Sequence, residues 1–597
     1  MPMLRTNLIA LLTLLGLSFT LQACANWRLQ RQVETLPERV EFAPEPVMGD
    51  PETTIPDARS YSHFLLGLEA LRNGDLATAR EHLRIVVQRN PGAREAREHL
   101  FQVLLAESRV GEAMSLVTDS TMLARVPGNQ LAHYGILMAY QGNRALLDNI
   151  NAELSQRKSG AAHLLGVYST MLAGDASASE AALKSLSEDP QWSAWGRLYL
   201  GRLYEAQGRL ERARDVYAAA LASESSAFTL LSLHLATVQA ALHQDEDVQT
   251  TVGRMRRTAP GGVEAITLRV YSTMRRVAPA DAARMVVRRP LTSTGSPSTT
   301  AFPGTATDIA LVAYQFLELG DVQTATSLLL LASVLQPDLP LAQVILGLIA
   351  TESEQLDQAM LRFERAMALE NPYRDDAMNQ YGQLLLEGRD ITEATTGLAE
   401  LLEEGSSFSW HATLTGRMAG SAYGDEGAID LLSKLERKNP QPELRYQRAM
   451  RLELLGRRDQ ALELVREVLR TAPDHAEALN YLGYSLADQN RDLPEARAMI
   501  YRAATTKPWS GHILDSLAWV EYRMGQHAAA LEWMQLALEY SPPDPVLHEH
   551  MGDILVALGK KDAAVKQYQA ALALEPEPEL AQSLRAKIEM LRRGKST

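Results

Sequence analysis

One pattern of small residues and prolines recurs along most of this chain and constrains its fold more than any other feature. In its last copy the pattern consists of Gly552, Gly559, Ala564, Ala571 and Pro576. The same order returns about every 34 residues from residue 60 onward. A period of this length indicates one supersecondary unit that is repeated and stacked. The chain is therefore expected to form an array of similar units rather than a single core.

The spacing within each unit predicts two antiparallel helices. Small residues at fixed places let neighbouring helices approach closely, and larger apolar residues fill the remaining space. Glycine is suited to end the first helix, and proline to end the second. Alanine and leucine are abundant while aromatic residues make up only 6%, which favours helix over sheet. The predicted fold class is all-α, a solenoid of antiparallel helix pairs.

This pattern resembles the tetratricopeptide repeat family, and the resemblance covers nearly everything from residue 60 to 578. It is also clear in the preceding unit, where Leu517, Ala518, Gly525, Ala530 and Ala537 have matching offsets. The resemblance implies a right-handed superhelical solenoid that binds other proteins. It also implies that the first helix of each pair faces the concave groove.

The amino-terminal segment has the layout of a secretory signal. Arg5 precedes a nearly continuous apolar run over residues 8–21, which is short for a bilayer span of about 20 residues. The residues Leu21, Gln22, Ala23 and Cys24 resemble the bacterial lipobox. That resemblance implies that Cys24 becomes the first residue of the mature chain and is acylated, with palmitate among its acyl groups. The alternative is an ordinary signal peptide followed by a free cysteine.

The residue after the cysteine and the remaining composition predict location and domain organisation. Ala25 in place of Asp indicates, by the same resemblance, a lipid anchor in the outer membrane with the protein facing the periplasm. The predicted domains are a signal peptide at 1–23, an anchor with a proline- and acid-rich tether at 24–59, an N-terminal repeat solenoid at 60–289, a Ser/Thr-rich loop at 290–305, a C-terminal repeat solenoid at 306–578, and a capping helix with a tail at 579–597.

Charge and motif content argue against catalysis and against nucleic-acid binding. The net charge is −14, and an acidic surface repels phosphate backbones. Cys24 is the single cysteine, so no internal disulfide or cysteine-based zinc site is available. His548 and His550 are two apart on a helix and point to nearly opposite sides, so we expect no metal site there. We predict a non-enzyme with no cofactor, no metal and no small-molecule substrate.

The groove positions of the last units define the candidate binding residues. The family places the second, fifth, ninth, twelfth and thirteenth positions of each first helix in the groove. Trp, Tyr and Arg at such positions are the residue types that dominate interface energetics. For Trp519, packing against the neighbouring first helix remains the alternative to groove contact. The predicted groove residues are Tyr484, Asp488, His512, Asp515, Trp519, Tyr522, Arg523, Glu549 and Asp553.

The stretch from Leu479 to Leu574 is the most family-like part and is similar to lipoproteins built of tandem tetratricopeptide repeats. Some of these are adaptors for periplasmic carboxyl-terminal processing proteases and bring peptidoglycan hydrolases to the protease. We therefore predict an outer-membrane-anchored periplasmic scaffold for protein–protein interaction, acting as such an adaptor and regulating proteolysis. The alternative is an assembly scaffold of an envelope machine, such as a secretin, a pilus or a polysaccharide exporter.

Overall fold

The computed structural model describes most of the chain between Ala58 and Arg593, and every regular element in that described part is an α-helix. None of the described helices is long and apolar enough to cross a membrane. Cys24, the signal segment and the predicted tether lie outside the described residues. The residues not described are 1–57, 73–74, 107–109, 118–119, 158–165, 167–175, 189–192, 223–227, 254–261, 286–305, 319–321, 542 and 594–597, with further positions between 125 and 143.

The helices follow one another in short connected pairs along most of the described chain. The first part contains α1 (Ala58–Arg72), α2 (Leu76–Arg89), α3 (Arg94–Ala106), α4 (Val110–Ser115), α5 (Ser120–Leu123), α6 (Arg144–Gln156), α7 (Ala176–Glu188), α8 (Ser193–Ala206), α9 (Leu210–Leu221), α10 (Phe228–Ala241), α11 (Asp245–Gly253), α12 (Gly262–Val277) and α13 (Pro279–Ala282). The second part contains α14 (Ala306–Glu318), α15 (Val322–Leu335), α16 (Pro340–Glu352), α17 (Leu356–Met367), α18 (Arg374–Leu385), α19 (Ile391–Glu403), α20 (Ser409–Lys438), α21 (Pro442–Leu454), α22 (Arg458–Thr471), α23 (Ala476–Asp488), α24 (Leu493–Thr506), α25 (Gly511–Arg523), α26 (His527–Tyr540), α27 (Pro545–Ala557), α28 (Lys561–Ala573) and α29 (Pro578–Arg593). The long helix α20 is interrupted at Gly424, where φ is +70°.

The last complete pair, α27 and α28, shows how the small residues produce this arrangement. A Cβ atom on Gly552 would lie 2.2 Å from Cε1 of Tyr568, so the two helices can approach this closely only with glycine there. Gly559 ends α27 with a φ of +74°, a backbone region that favours glycine. Ala564 and Ala571 on α28 are fully buried. The predicted all-α solenoid of stacked antiparallel helix pairs is confirmed.

The described helices form two compact units whose segments are not contiguous in sequence. The C-terminal unit contains the described parts of Ser232–Arg289 and Gln343–Thr597, and the N-terminal unit contains the described parts of Ala25–Leu231 and Pro290–Ala342. The predicted Ser/Thr-rich loop at 290–305 lies outside the described residues. The predicted domain boundaries remain a prediction.

A buried ion pair joins two separate segments of the N-terminal unit. Nη1 of Arg202 on α8 lies 3.0 Å from Oδ2 of Asp308 on α14, and the two side chains are only 1% and 3% exposed. Nearby, the hydroxyl of Tyr217 on α9 donates to the carboxylate of Glu205 on α8. Charges buried this deeply must be paired to be tolerated, so this cluster fixes α14 against α8.

In the C-terminal unit, α12 packs against α26, which is the second helix of the pair formed by α25 and α26. Val270 and Met274 on α12 are fully buried in the apolar core that also contains Met534. Nη1 of Arg269 lies 2.6 Å from Oε1 of Glu539, and the same nitrogen donates to the hydroxyl of Tyr540 at 2.9 Å. The second-helix side of these repeats is therefore covered by a segment from much earlier in the chain.

Candidate protein-binding surface

Four successive first helices, α23, α25, α27 and α29, place the candidate residues in the C-terminal unit. Helix α23 packs against α25, and α25 packs against α27. We call their candidate side chains the C-terminal first-helix surface. It comprises Tyr484, Asp488, His512, Asp515, Trp519, Tyr522, Arg523, Glu549, His550, Asp553 and Lys587.

Trp519 is the centre of an aromatic cluster on this surface. Its ring stacks on His550 of the next first helix, with centroids 4.1 Å apart and planes inclined by 19°. Tyr522 of its own helix stacks on the same ring at 5.1 Å, and Cζ of Arg523 lies 5.6 Å from the ring centroid. The side chain is only 8% exposed. Trp519 therefore packs against the neighbouring first helix and presents little of its ring to solvent.

His550 joins this aromatic cluster to an acid on the preceding first helix. Its Nδ1 lies 2.8 Å from Oδ1 of Asp515, and the imidazole is buried. Burial alone lowers the pKa of His550, but the negative charge and hydrogen bond of Asp515 outweigh it, so the pKa lies above its ordinary value. His548 bonds instead to Gln567 of the second helix at 2.7 Å. The two histidines thus have separate partners.

The last two first helices form a closed acid–base site. Nζ of Lys587 on α29 lies 2.9 Å from Oε1 of Glu549 and 2.7 Å from Oδ1 of Asp553. The hydroxyl of Tyr568 donates to Asp553 at 2.6 Å, and its ring centroid lies 5.5 Å from the ammonium group. Burial lowers the pKa of Lys587, but the bonds to Asp553 and Glu549 more than offset this and raise it. Both predicted acids are therefore neutralised within the chain.

The acids one repeat earlier are less completely matched. Tyr484 and Asp488 lie four residues apart on α23 and therefore share a face. Burial, together with the charges of Asp515 and Asp488, raises the pKa of Tyr484 to about 12. Within the described chain Asp488 has no hydrogen bond or ion pair, and the buried Nε1 of Trp519 has no acceptor. His512 lies on the same helix as Trp519 and is exposed.

A second polar cluster lies at the starts of the preceding first helices. Nε2 of His475 lies 3.1 Å from Oε2 of Glu443, and Nε2 of Gln447 donates to Oε1 of the same carboxylate at 2.7 Å. Burial alone raises the pKa of Glu443, but the His475 contact reverses this, and the pKa falls to about 2. Nζ of Lys507 lies 2.8 Å from Oε1 of Glu370 and also contacts Glu477. This cluster is internally paired, which favours a structural role.

The sequence did not identify His550 or Lys587 as members of this surface. His550 falls outside the family's groove positions, and only its stacking on Trp519 brings it there. Lys587 belongs to the segment predicted as a solvent-facing cap, although it lies 34 residues after Asp553 and so occupies the same place in the repeat period. That spacing is the signal available for Lys587. Among the described residues no group of histidine, cysteine and acidic side chains could hold a metal ion.

Comparison with known proteins identifies the repeat. The family model described as tetratricopeptide repeat matches residues 64–120, 446–512 and 551–596. The TPR repeat-containing protein PA4667 of Pseudomonas aeruginosa is 38% identical over 110 residues, which is 18% of each chain. Anaphase-promoting complex subunit 7 of Dictyostelium discoideum is 24% identical over 141 residues, 24% of each chain. The chain thus spans only about a fifth to a quarter of the length of these relatives.

A solved structure shows the same kind of local similarity. TTC0263, a thermophilic TPR protein of Thermus thermophilus, aligns with 30% of this chain and 98% of its own at 21% identity, with a TM-score of 0.26. The described chain is a solenoid of antiparallel helix pairs that contains tetratricopeptide repeats, the architecture of a protein–protein interaction scaffold.

Proposed function

We propose that this protein is a periplasmic scaffold, anchored to the outer membrane through Cys24, whose C-terminal first-helix surface binds a partner protein. The binding site is proposed on the first-helix side of the repeats because that side differs from the second-helix side. The second-helix side of α26 is covered by α12, through Arg269 and Glu539 among others. The first-helix side keeps His512 exposed and Asp488 without a partner in the described chain.

The composition of this surface supports the recognition of protein rather than of a small molecule. Aromatic and arginine side chains are the usual anchors of protein interfaces, and here the partly exposed Tyr522 and Arg523 lie beside the buried Trp519 on one helix. Their ring contacts fix them in place before any partner arrives. A partner that binds such a preorganised surface loses less conformational entropy.

The membrane anchor is supported by the lipobox resemblance at Cys24. Metabolic labelling with a palmitate analogue should label the wild-type chain, and Cys24→Ser should abolish the label. The variant should also leave the outer-membrane fraction, because a lipid anchor supplies the affinity for the bilayer. A matched Ala23→Ser substitution keeps the cysteine and should still be labelled. Equal labelling of the Cys24→Ser chain would contradict the anchor.

We further propose that the partners are a carboxyl-terminal processing protease and the cell-wall hydrolases that it degrades. Support comes from the resemblance of the region 479–574 to lipoprotein adaptors of such proteases. A scaffold that holds enzyme and substrate together raises their effective concentration without any chemistry of its own. The absence of the protein should therefore slow degradation in cells and leave the purified protease's activity on short peptides unchanged.

Pulse-chase measurement of hydrolase half-lives tests this role. Deleting the protein should lengthen the half-lives, and the wild-type chain should restore them. A chain with Asp488→Asn and Tyr484→Phe should restore them only in part, whereas Glu495→Gln on α24, exposed on a second helix, should restore them fully. Unchanged half-lives in the deletion strain would contradict the adaptor role. Loss of an exported product in that strain would instead favour an envelope-machine scaffold.

A further inference from the structure

The filled acid–base site on α27 and α29 shows which cation this repeat geometry accommodates. Nζ of Lys587 lies within 2.9 Å of Glu549 and within 2.8 Å of both oxygens of Asp553. The ring of Tyr568 lies 5.5 Å from the ammonium group. An ammonium ion held by two carboxylates beside an aromatic ring has its charge compensated on several sides. The chain itself thus supplies one example of a lysine bound on this surface.

A similar set of groups, one repeat earlier, has no such cation. Asp488 lacks any hydrogen bond or ion pair in the described chain. Asp515 is bonded through Oδ1 to the buried His550. Tyr484 lies one helical turn before Asp488 on the same face. Two carboxylates and a phenol therefore occupy neighbouring first helices, and in the described chain no lysine or arginine is bonded to either carboxylate. Arg458 of α22 is near enough for its charge to act on Tyr484.

Two buried polar atoms on the same helices lack partners of the kind that a peptide backbone provides. Nε1 of Trp519 is buried and has no acceptor among the described residues, and Oδ1 of Asn480 is buried and has no donor. Trp519 is 8% exposed. Asn480, Tyr484 and Asp488 follow one another at four-residue spacing and so form one stripe along α23. A buried donor and acceptor without partners cost free energy until a ligand satisfies them.

From this arrangement we infer that the C-terminal first-helix surface binds an extended partner segment carrying a lysine or arginine. The positive side chain lies between Asp488 and Asp515, beside the hydroxyl of Tyr484. A backbone carbonyl of the segment accepts from Nε1 of Trp519. This inference rests on the proposed function and specifies its partner as a basic segment of protein.

Charge complementarity favours this occupant over an acidic or neutral one. The surface carries Asp488, Asp515, Glu549 and Asp553, and the last two are already matched by Lys587. Around Tyr484 the charges of Asp515 and Asp488 outweigh that of Arg458, so the remaining charge there is negative. An acidic segment would meet repulsion at this place, and a neutral one would leave a partly buried carboxylate without compensation.

Fluorescence anisotropy with labelled synthetic peptides tests the inference on the full chain in detergent. The probes are twelve-residue peptides of alternating lysine and alanine, the same peptides with arginine, and the same with glutamate. The lysine and arginine peptides should bind, and their affinity should fall with added salt because the contact is ionic. The glutamate peptide should bind at least about 10-fold more weakly, as expected for the loss of charged hydrogen bonds.

Substitutions assign the binding to the named groups. Asp488→Asn and Trp519→Phe should each weaken the lysine peptide by about 5-fold or more, since each removes one proposed hydrogen bond or charge. Glu495→Gln on α24 removes an exposed acid from a second helix of the same repeats and should leave affinity unchanged. Circular dichroism and the thermal midpoint of each variant separate a lost contact from a lost fold.

Three results would overturn the inference. These are equal binding of the glutamate peptide, equal binding by Asp488→Asn, and a dimer by analytical ultracentrifugation that Asp488→Asn dissociates, because the occupant would then be a second copy. Partner crosslinking at His512 separates this inference from the proposed function. If a partner is crosslinked there while no basic peptide binds, the function stands and the basic segment is wrong. If neither occurs, both are wrong.

Discussion

His550 and Asp515 lie 35 residues apart on successive first helices and are joined by a hydrogen bond of 2.8 Å. The imidazole also stacks on Trp519, one helical turn from Asp515 on the same helix. The side chain of His550 therefore contacts both the acid and the aromatic ring of the preceding repeat. The central groups of the C-terminal first-helix surface therefore contact one another without a partner.

The His550–Asp515 contact should make stability depend on pH. The folded pKa of His550 is raised above 6.5, so the stabilisation is fully present below pH 6.5 and is lost as pH rises through the folded pKa. The charged groups acting on His550 are Asp515, Glu549 and Asp553. Asp515→Asn should therefore lower the thermal midpoint most near pH 5.5 and least near pH 8.5. A difference between the two proteins that is independent of pH would contradict a protonated His550.

Glu443 should contribute stability with the opposite dependence on pH. Its pKa is lowered from 4.5 to about 2, so the stabilisation is present above pH 4.5 and is lost as pH falls toward 2. Glu443→Gln should cost about 1–3 kcal/mol at pH 7 and progressively less in acid, measured by urea unfolding. Glu463→Gln on α22 is the matched control, because that side chain is exposed. An equal loss in both variants would show that the His475 contact contributes nothing.

The close approach of α27 and α28 should tolerate no side chain at Gly552. A Cβ atom there would lie 2.2 Å from the ring of Tyr568, so Gly552→Ala should destabilise the chain by about 1–3 kcal/mol through overpacking. Gly397→Ala on α19 is the control, because nothing lies within 4 Å of its Cβ position. Alanine's greater helix propensity should make that change stabilising by about 0.5–1 kcal/mol. Denaturant unfolding measures both, and a stable Gly552→Ala chain would rule out this helix contact.

The packing of α12 on α26 should depend on the Arg269–Glu539 ion pair more than on the Arg276–Glu532 ion pair. Arg269 is 13% exposed and pairs with Glu539, whereas Arg276 and Glu532 are 44% and 41% exposed. Glu539→Gln should therefore speed hydrogen–deuterium exchange throughout α12. Glu532→Gln should change it little, because exposed pairs contribute about 0–1 kcal/mol. If exchange in α12 is as fast in the wild-type chain as in Glu539→Gln, the helix is not held by this contact.

The sequence predicted the helix pairs well because their cause is local. Gly552 and Gly559 have the spacing that a close crossing and a turn require, and the structure uses both in that way. The residues on the first helices were also placed on the intended elements by the repeat period. Lys587 also follows this period, since it lies 34 residues after Asp553. It was not predicted as a member of the surface because its segment was predicted to be a cap.

The remaining features depend on contacts between distant segments, which a single sequence does not encode in any readable pattern. Arg269 meets Glu539 across 270 residues, and no periodicity relates the two positions. Burial of Trp519 likewise depends on His550, which belongs to the next repeat. The periodic part of the fold is thus predictable from sequence, and the packing of α12 on α26 is not.

In-cell photo-crosslinking tests most directly whether the C-terminal first-helix surface binds the partner. Benzoylphenylalanine replaces His512, which is exposed on a first helix, or Lys566, which is exposed on the second helix α28. Crosslinked products are identified by mass spectrometry in the native bacterium. We predict a crosslink from position 512 to a periplasmic protease or to one of its substrates, lost in Asp488→Asn, and none from position 566. Crosslinks from position 566 with none from position 512 would contradict the account.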